Sequence, residues 1–327
     1  MAFFITVLRA LAACLITNSH YTGIYPSDII ANGGLVGDVL FFAVSGYCLY
    51  NVKLPFFKWY GKRLWRVYLP VVLGTLILLL LGGYSFSEMT WFEWFIYPTY
   101  YHFVASIVFL YIPFYFLMKF DISRNHIVRV MGIIAAIALV VYLTVYDKSY
   151  YHIDTVREPF IRFLFVESML LGAYFRQNDE KLRNSFSIRH ILFCVVSFVL
   201  YFASKLVFSR FDQVSVLQIA NQILIFVLLY YIFRLFIGID KFLEKIPDAI
   251  KKLVTFVANM TLEIYIVQYI IIAVLRPYFG FPINWIVITA SIACASIALH
   301  MLCKYIYKFF DFVVLRAKKS RVKEEAK

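Results

Sequence analysis

The first apolar stretch of the chain, FFITVLRALAACLITNSHYT at residues 3–22, contains a charged residue, Arg9, and a titratable one, His20. A helix needs about 20 residues to cross the hydrocarbon layer, so this stretch is long enough. At ~100° per residue both side chains project from nearly the same helix face, roughly 16 Å apart along the axis. Because ionisable side chains are costly in hydrocarbon unless they face a polar cavity, the pair predicts a working site inside a membrane.

The rest of the chain repeats this apolar pattern. Of the 327 residues, 63% are hydrophobic and only 16% are charged. The sequence predicts an all-α, polytopic integral membrane bundle of about ten transmembrane helices. This transmembrane domain covers residues 1–316, and residues 317–327 form a charged cytoplasmic tail. The predicted spans have approximate cores at 3–22, 35–51, 67–82, 97–118, 127–146, 159–175, 190–208, 215–233, 253–275 and 283–307.

The distribution of basic residues predicts the orientation. With the N-terminus inside, 25 of the 32 Lys and Arg residues fall in the inner loops and the C-terminal tail. Inner loops of membrane proteins carry such an excess, so we expect both termini to be cytoplasmic and the location to be the plasma (inner) membrane, multi-pass. The net charge of +13 is then a topology signal, and no nucleic-acid partner is expected.

The five cysteines all fall in apolar segments, and none forms a CxxC pair. This pattern favours small core residues over a disulfide framework or a zinc site. No metal is expected from the sequence.

The second span opens with GDVLFFAVSGY, residues 37–47. Asp38 places an acid at the outer membrane boundary, and Ser45 and Gly46 form a small, polar notch that is followed by Tyr47. Helix packing through small residues is a common alternative explanation for such a notch. The segment is therefore a candidate for substrate contact or for packing.

A predicted inner loop follows, FFKWYGKRLWRVYLP at residues 56–70. Lys62, Arg63 and Arg66 cluster there with aromatic residues. The tendency of basic residues to remain inside explains these charges without any ligand. The functional alternative is a binding surface for a phosphorylated cytosolic ligand, because Arg binds phosphate through paired hydrogen bonds.

Three features in this order resemble the acyltransferase-3 family of integral membrane acyltransferases. They are the Arg9–x10–His20 helix, the GDVLFFAVSGY span and an RxxR segment that ends in Pro70. The resemblance implies a donor acyl-CoA bound from the cytosol, acetyl-CoA in the first instance, and no permanently bound cofactor. It also implies transfer to a hydroxyl of a carbohydrate or lipid-linked glycan, with the Arg–His helix as the catalytic element and the RxxR segment needed for activity.

The chain departs from the family pattern at two places. Family members often carry a histidine in the penultimate helix, where this chain reads LEIYIVQYI with Gln268. Glutamine cannot act as a base near pH 7, which argues against a mechanism with two histidines. A tryptophan is common early in the fourth span, where this chain has Tyr101-His102-Phe103.

Two further polar groups lie in the sixth span. Glu158 and Arg162 stand four residues apart, which predicts a local ion pair. Glu167 lies deeper, where it is expected to neutralise Arg9 or Arg162, or to touch substrate.

The sequence thus predicts a membrane-embedded O-acyltransferase acting on a cell-surface or capsular polysaccharide or its lipid-linked precursor. His20 is the expected general base or acyl carrier, and Arg9 stabilises an oxyanion or positions the thioester. The remaining site residues are expected to hold the phosphates of acyl-CoA (Lys62, Arg63, Arg66) or to contact substrate (Asp38, Ser45, Tyr47, Glu167, Gln268).

The alternative function is a flippase or transporter for a lipid-linked glycan. A flippase would also use intramembrane Arg and His, but it has no use for a CoA-binding surface. The expected partners are acyl-CoA, a carbohydrate acceptor and the lipid bilayer, and the sequence leaves a homo-oligomer open.

Overall fold

The computed structural model describes residues 2–87 and 89–325, with side chains as far as Phe312. This part of the chain is all-α. Its helices are α1 (Phe3–Ser19), α2 (Gly34–Leu49), α3 (Phe56–Leu80), α4 (His102–Lys119), α5 (Asp121–Asn125), α6 (Ile127–Thr144), α7 (Ile161–Gln177), α8 (Asp179–Leu182), α9 (Ile188–Arg210), α10 (Ile219–Gly238), α11 (Asp240–Leu243), α12 (Asp248–Asn259), α13 (Thr261–Leu275) and α14 (Ile283–Glu325).

Several of these helices are able to cross a membrane. Among the described residues, α3, α4, α6, α9, α10 and α14 are long and apolar enough, which makes six. Helices α12 and α13 together make a seventh if the pair is one span, whereas α1 and α2 are apolar but shorter. Helices α6 and α9 turn mostly exposed aliphatic side chains outward, as lipid-facing helices do. The protein is therefore a multi-pass membrane protein, and the count of ten spans stays a prediction.

The predicted inner loop at residues 56–70 is helical, which corrects the sequence-based expectation. Helix α3 begins at Phe56 directly after Pro55 and continues for 25 residues through Pro70. Leu, Lys and Arg are all good helix formers, so this basic segment can extend an apolar helix beyond the membrane core. Because the segment is helical, Arg63 and Arg66 are neighbours on one helix surface.

The predicted span at 253–275 is bent, not straight. Helices α12 and α13 meet at an angle of 72°, with Met260 between them. The break contains neither Gly nor Pro; instead, the composition changes there from the amphipathic α12, with Lys251 and Lys252, to the apolar α13. Helix α12 packs against α1, and α13 packs against α3 and α14.

The backbone of α14 continues into the predicted C-terminal tail as far as Glu325. The side chains of that tail lie outside the described residues.

Helices α2 and α7 approach each other closely in the centre of the bundle. A Cβ atom added at Gly46 would overlap the backbone carbonyl of Met169, and one added at Gly172 would overlap that of Ala43. Next to this crossing, the rings of Phe42 and Phe165 stack with centroids 4.2 Å apart. Gly46 therefore serves helix packing, which was the alternative explanation for the notch in the second span.

This crossing predicts that alanine is not tolerated at either glycine. We expect Gly46→Ala and Gly172→Ala to destabilise the protein by about 1–3 kcal/mol, as overpacking does. The matched control is Gly132→Ala in α6, where an added Cβ has no atom within 4 Å. Alanine favours a helix over glycine by about 1 kcal/mol, so the control should be neutral or stabilising. The measurement is thermal unfolding in detergent, and equal melting temperatures for all three variants would contradict the packing argument.

Candidate active site

A cavity of about 260 Å³ opens where α1 ends and α2 begins. We call it the His20 cavity. Its polar lining comes from four helices and from the loops before α4 and α7, and comprises Ser19, His20, Asp38, Tyr100, Tyr101, His102, Arg157, Tyr265, Gln268 and Tyr269. Three residues predicted from the sequence, His20, Asp38 and Gln268, therefore line one cavity.

His20 is held at the C-terminus of α1 by the turn that follows the helix. Its backbone N–H donates to the carbonyl of Thr17 at 3.1 Å. The side-chain amide of Asn18 donates to the carbonyls of Ile30 and Asn32, at 2.7 and 3.0 Å, which ties the returning loop to the helix end. The His20 ring stands edge-on to Tyr269, with centroids 6.4 Å apart. Within the described residues its ring nitrogens have no hydrogen-bond partner, so they are available to a ligand.

Asp38 and Gln268 are both deeply buried beside His20. Asp38 is 6% exposed, and its carboxylate accepts no hydrogen bond from any residue that the structure describes. Gln268 is 1% exposed and accepts a hydrogen bond from the Thr17 hydroxyl at 2.7 Å. The Nε2 group of Gln268 is buried and has no acceptor among the described residues, and Gln268 lines the cavity.

A second, very small cavity adjoins the first. It measures about 10 Å³ and is lined by Ala13, Ile16 and Thr17 of α1 together with Phe41, Phe103, Thr261, Leu262, Ile264, Tyr265 and Gln268. We call it the neck. A water molecule needs about 10–15 Å³, so the neck holds one water at most. The α1 residues that line it all stand between Arg9 and His20 in the sequence.

Arg9 lies on the other side of the neck and does not line the His20 cavity. Its electrostatic neighbours are Cys48 at the end of α2 and Glu263 at the start of α13. Glu263 in turn is paired with His300, whose Nδ1 lies 2.8 Å from a carboxylate oxygen. The guanidinium forms no ion pair within 4.0 Å in the described part of the chain. Helix α1 thus carries its two functional candidates into separate compartments.

The basic residues of α3 lie near Arg9, at the end of the bundle opposite the His20 cavity. Arg63 stacks on Trp59 at 5.6 Å, and its Nε is buried with no hydrogen-bond partner in the described structure. The electrostatic neighbours of Cys48, an exposed thiol, include Arg9, Arg63 and Arg176, so three arginines lie near it. We call these four residues the Cys48 cluster.

Arg66 and Lys62 border the Cys48 cluster. Arg66 is an electrostatic neighbour of Arg63, and its carbonyl accepts a hydrogen bond from Tyr307 at 3.4 Å. Lys62 is exposed. The structure therefore brings Arg9, Arg63 and Arg66 to one end of the bundle.

Tyr47 also lies at this end and not in the His20 cavity. Arg176 and Arg183 donate to its hydroxyl at 3.3 and 3.4 Å. Arg183 is paired with the buried Asp240 at 2.6 Å, and the other oxygen of Asp240 accepts the backbone N–H of Phe4 at 2.9 Å. This network anchors the start of α1, since Asp240 satisfies one of the free N–H groups there.

Two other predicted substrate contacts, Ser45 and Glu167, belong neither to the His20 cavity nor to the Cys48 cluster. Ser45 is partly buried and lines neither the His20 cavity nor the neck. Glu167 lines a different cavity of about 390 Å³ between α6, α7 and α10, and its Oε1 is buried without a described partner. Their substrate role stays a prediction.

The expected neutralisation of Arg162 is wrong in this structure. Arg162 forms no ion pair with Glu158 or Glu167 within 4.0 Å, and it donates to the Tyr97 hydroxyl at 3.4 Å. Glu158 is an electrostatic neighbour of Tyr146. A spacing of four residues brings two side chains together on the surface of a helix, but Glu158 precedes the start of α7 at Ile161.

Sequence reasoning missed several residues of the His20 cavity. His102 stood out in the sequence only as a departure from the family pattern, and Arg157 was not singled out. The available signal was the run of tyrosines before His102, at the start of α4. Tyr265 and Tyr269 lie three residues before and one after Gln268, so a polar helix face around Gln268 was also readable.

Comparison with known families identifies the family of this chain. The family description that matches is an acyltransferase domain, that of the acyltransferase-3 family, and the match covers residues 3–305. The chain belongs to the acyltransferase-3 family, and the resemblance seen in its sequence is confirmed. No curated protein and no solved structure matches the chain.

Proposed function

We propose that the protein is a membrane O-acyltransferase. It transfers an acyl group, acetyl in the first instance, from cytosolic acyl-CoA to a hydroxyl of a surface polysaccharide or lipid-linked glycan. The observation that supports this most directly is the arrangement along α1. His20 faces a polar cavity at one end, and Arg9 joins the basic residues of α3 at the other.

The His20 cavity is the proposed acceptor site. A neutral imidazole nitrogen without a protein partner can take the proton from an acceptor hydroxyl. Asp38 and Gln268 offer an acceptor and a donor for other hydroxyls of the sugar. With the cavity at the outer end of α1, a surface glycan would reach it without crossing the membrane.

The Cys48 cluster, together with Arg66 and Lys62, is the proposed donor site. Arg63 and Arg66 stand on one face of α3 and bind phosphates of acyl-CoA through charge-assisted hydrogen bonds. Of the two roles predicted for Arg9, the geometry supports positioning of the thioester, because Arg9 is absent from the lining of the His20 cavity.

Transfer requires the acyl group to pass the neck between the two sites. In the reaction, the acceptor oxygen forms a new C–O bond to the acyl carbon and the thioester C–S bond breaks. His20 takes the hydroxyl proton and later releases it to water, and the CoA thiolate leaves and takes up a proton from water, so that no net proton is gained or lost. A neck of about 10 Å³ is too small for an acetyl group, so the Thr17–Gln268 hydrogen bond opens during the cycle.

The proposed topology has ten spans with both termini in the cytosol. It is supported by the distribution of basic residues and by a helix, or the bent pair, in each predicted span. We expect a reporter that is active only in the cytosol to work when fused after the last residue. Activity of an export-dependent reporter at that position would contradict the topology.

Labelling separates the enzyme from the flippase alternative. Membranes that contain the protein are incubated with [14C]acetyl-CoA, and the glycan fraction is counted. Label that enters glycan only when the protein is present supports acyl transfer. Unlabelled glycan, together with lipid-linked glycan that changes leaflet, would instead support a flippase.

The donor site predicts an effect of the α3 arginines. Each of Arg63→Ala and Arg66→Ala should weaken acyl-CoA use by about 1.5–3 kcal/mol, the usual loss for a hydrogen bond to a charged group. Lysine at either position should rescue only partly, because it keeps the charge but loses the paired donors. Arg189→Ala at the start of α9 is the matched control, since Arg189 is an exposed arginine on the same predicted side. Normal acylation by both Ala variants would leave the segment as a topology signal.

The acceptor site predicts that His20 is essential. His20→Ala and His20→Gln should both lower glycan acylation by ~10²–10⁴, because glutamine cannot take up a proton near pH 7. His126→Gln, an exposed histidine outside the cavity, should be silent. Arg9→Lys should be milder than Arg9→Ala, since lysine keeps the charge. Wild-type acylation by a well-expressed His20→Gln variant would remove His20 from the mechanism.

A further inference from the structure

One end of the His20 cavity is basic. His102 and Arg157 both line the cavity, and the electrostatic neighbours of His102 are Arg157 and Arg162. Arg157 is exposed at the cavity mouth, and Arg162 lies partly buried at the start of α7. The two arginines approach His102 from the loop before α7 and from α7 itself.

These cations are not neutralised by the protein. Neither Arg157 nor Arg162 forms an ion pair within 4.0 Å in the described structure. Glu158, which lies between them in sequence, is an electrostatic neighbour of Tyr146. The acid in the cavity lining, Asp38, is an electrostatic neighbour of Tyr201 and Tyr265.

A substrate cavity with one uncompensated arginine in its lining, Arg157, and a second close to His102, Arg162, is suited to an anion. Arginine presents planar, paired donors that match carboxylate and phosphate oxygens. The positive potential at the mouth would also draw an anionic acceptor toward the cavity. A neutral sugar would leave the positive charge of these arginines without a counter-ion. The hydroxyls of any sugar need only the polar groups deeper in the cavity.

We infer that the acceptor is an acidic glycan, with a carboxylate or phosphate group that binds Arg157 at the mouth while its hydroxyl reaches His20. Arg162, which is also an electrostatic neighbour of His102, adds to the positive potential at this end of the cavity. This inference deepens the proposed function and rests on it for the identity of the His20 cavity as the acceptor site. Anion binding itself can be measured without acyl transfer.

The test is binding of three sugars that share a ring and differ at C6: glucuronate, glucose 6-phosphate and glucose. Each is titrated into the full-length protein in detergent at low ionic strength, and the dissociation constant is read from saturation-transfer NMR. We expect at least one anionic sugar to bind about ten-fold tighter than glucose, the size of a single charge-assisted contact. The anion with the lower dissociation constant indicates whether the site prefers a carboxylate or a phosphate.

Variants assign the preference to the cavity. Arg157→Gln should abolish the preference for the anion, Arg157→Lys should keep part of it, and Arg162→Gln should reduce it. Arg210→Gln, an exposed arginine at the end of α9 that does not line the cavity, should leave it unchanged. Equal binding of all three sugars, no measurable binding of either anion, or a preference that survives Arg157→Gln would overturn the inference.

The outcome is separable from that of the proposed function. Anion binding that depends on Arg157, in a protein that transfers no label from acetyl-CoA, supports the anion site and refutes the acyltransferase proposal. Acyl transfer by a protein that binds glucose and the anions equally supports the enzyme and refutes the acidic acceptor.

Discussion

The contact between the backbones of α2 and α7 at Gly46 and Gly172 is the constraint on which the site depends. Two helices approach this closely only where neither carries a Cβ at the crossing. In a membrane, helix association gains little from the hydrophobic effect, so close packing of this kind matters more than in a soluble protein. Asp38 lies about two turns before Gly46 on α2, so the crossing sets the position of this carboxylate in the cavity.

Helix α1 packs against α2 and so is positioned by the α2–α7 contact. Both Arg9 and His20 belong to this first part of the chain. Its N-terminus is anchored through Phe4 to the Arg183–Asp240 pair, and its C-terminal turn is tied down by Asn18. With both ends held, Arg9 and His20 cannot approach each other, because a helix is rigid along its axis. The reaction therefore has to move the acyl group through the neck rather than bring the two side chains together.

The sequence was sufficient to predict an all-α membrane protein and to identify its family. Both follow from local patterns, the apolar runs and the Arg9–His20 spacing. It also predicted that His20, Asp38 and Gln268 matter, and the structure places these three around one cavity. It failed where side-chain direction depends on tertiary packing. Tyr47 was grouped with Asp38 because both belong to one motif, yet nine residues of helix carry Tyr47 to the opposite end. Glu167 was expected near an arginine, but α7 turns it toward α6 and α10.

Gln268 shows how a departure from the family pattern is accommodated. Its carbonyl oxygen accepts the Thr17 hydroxyl, so the position joins α13 to α1 at the neck, where a histidine is common in the family. The cavity nevertheless contains a second histidine, because α4 places His102 in its lining beside His20. The penultimate helix lacks the histidine that is common in the family, but it is not the only helix that lines the cavity. A cavity built by four helices can receive the same side chain from a different one, and here His102 arrives with two arginines that give its end of the cavity a positive charge.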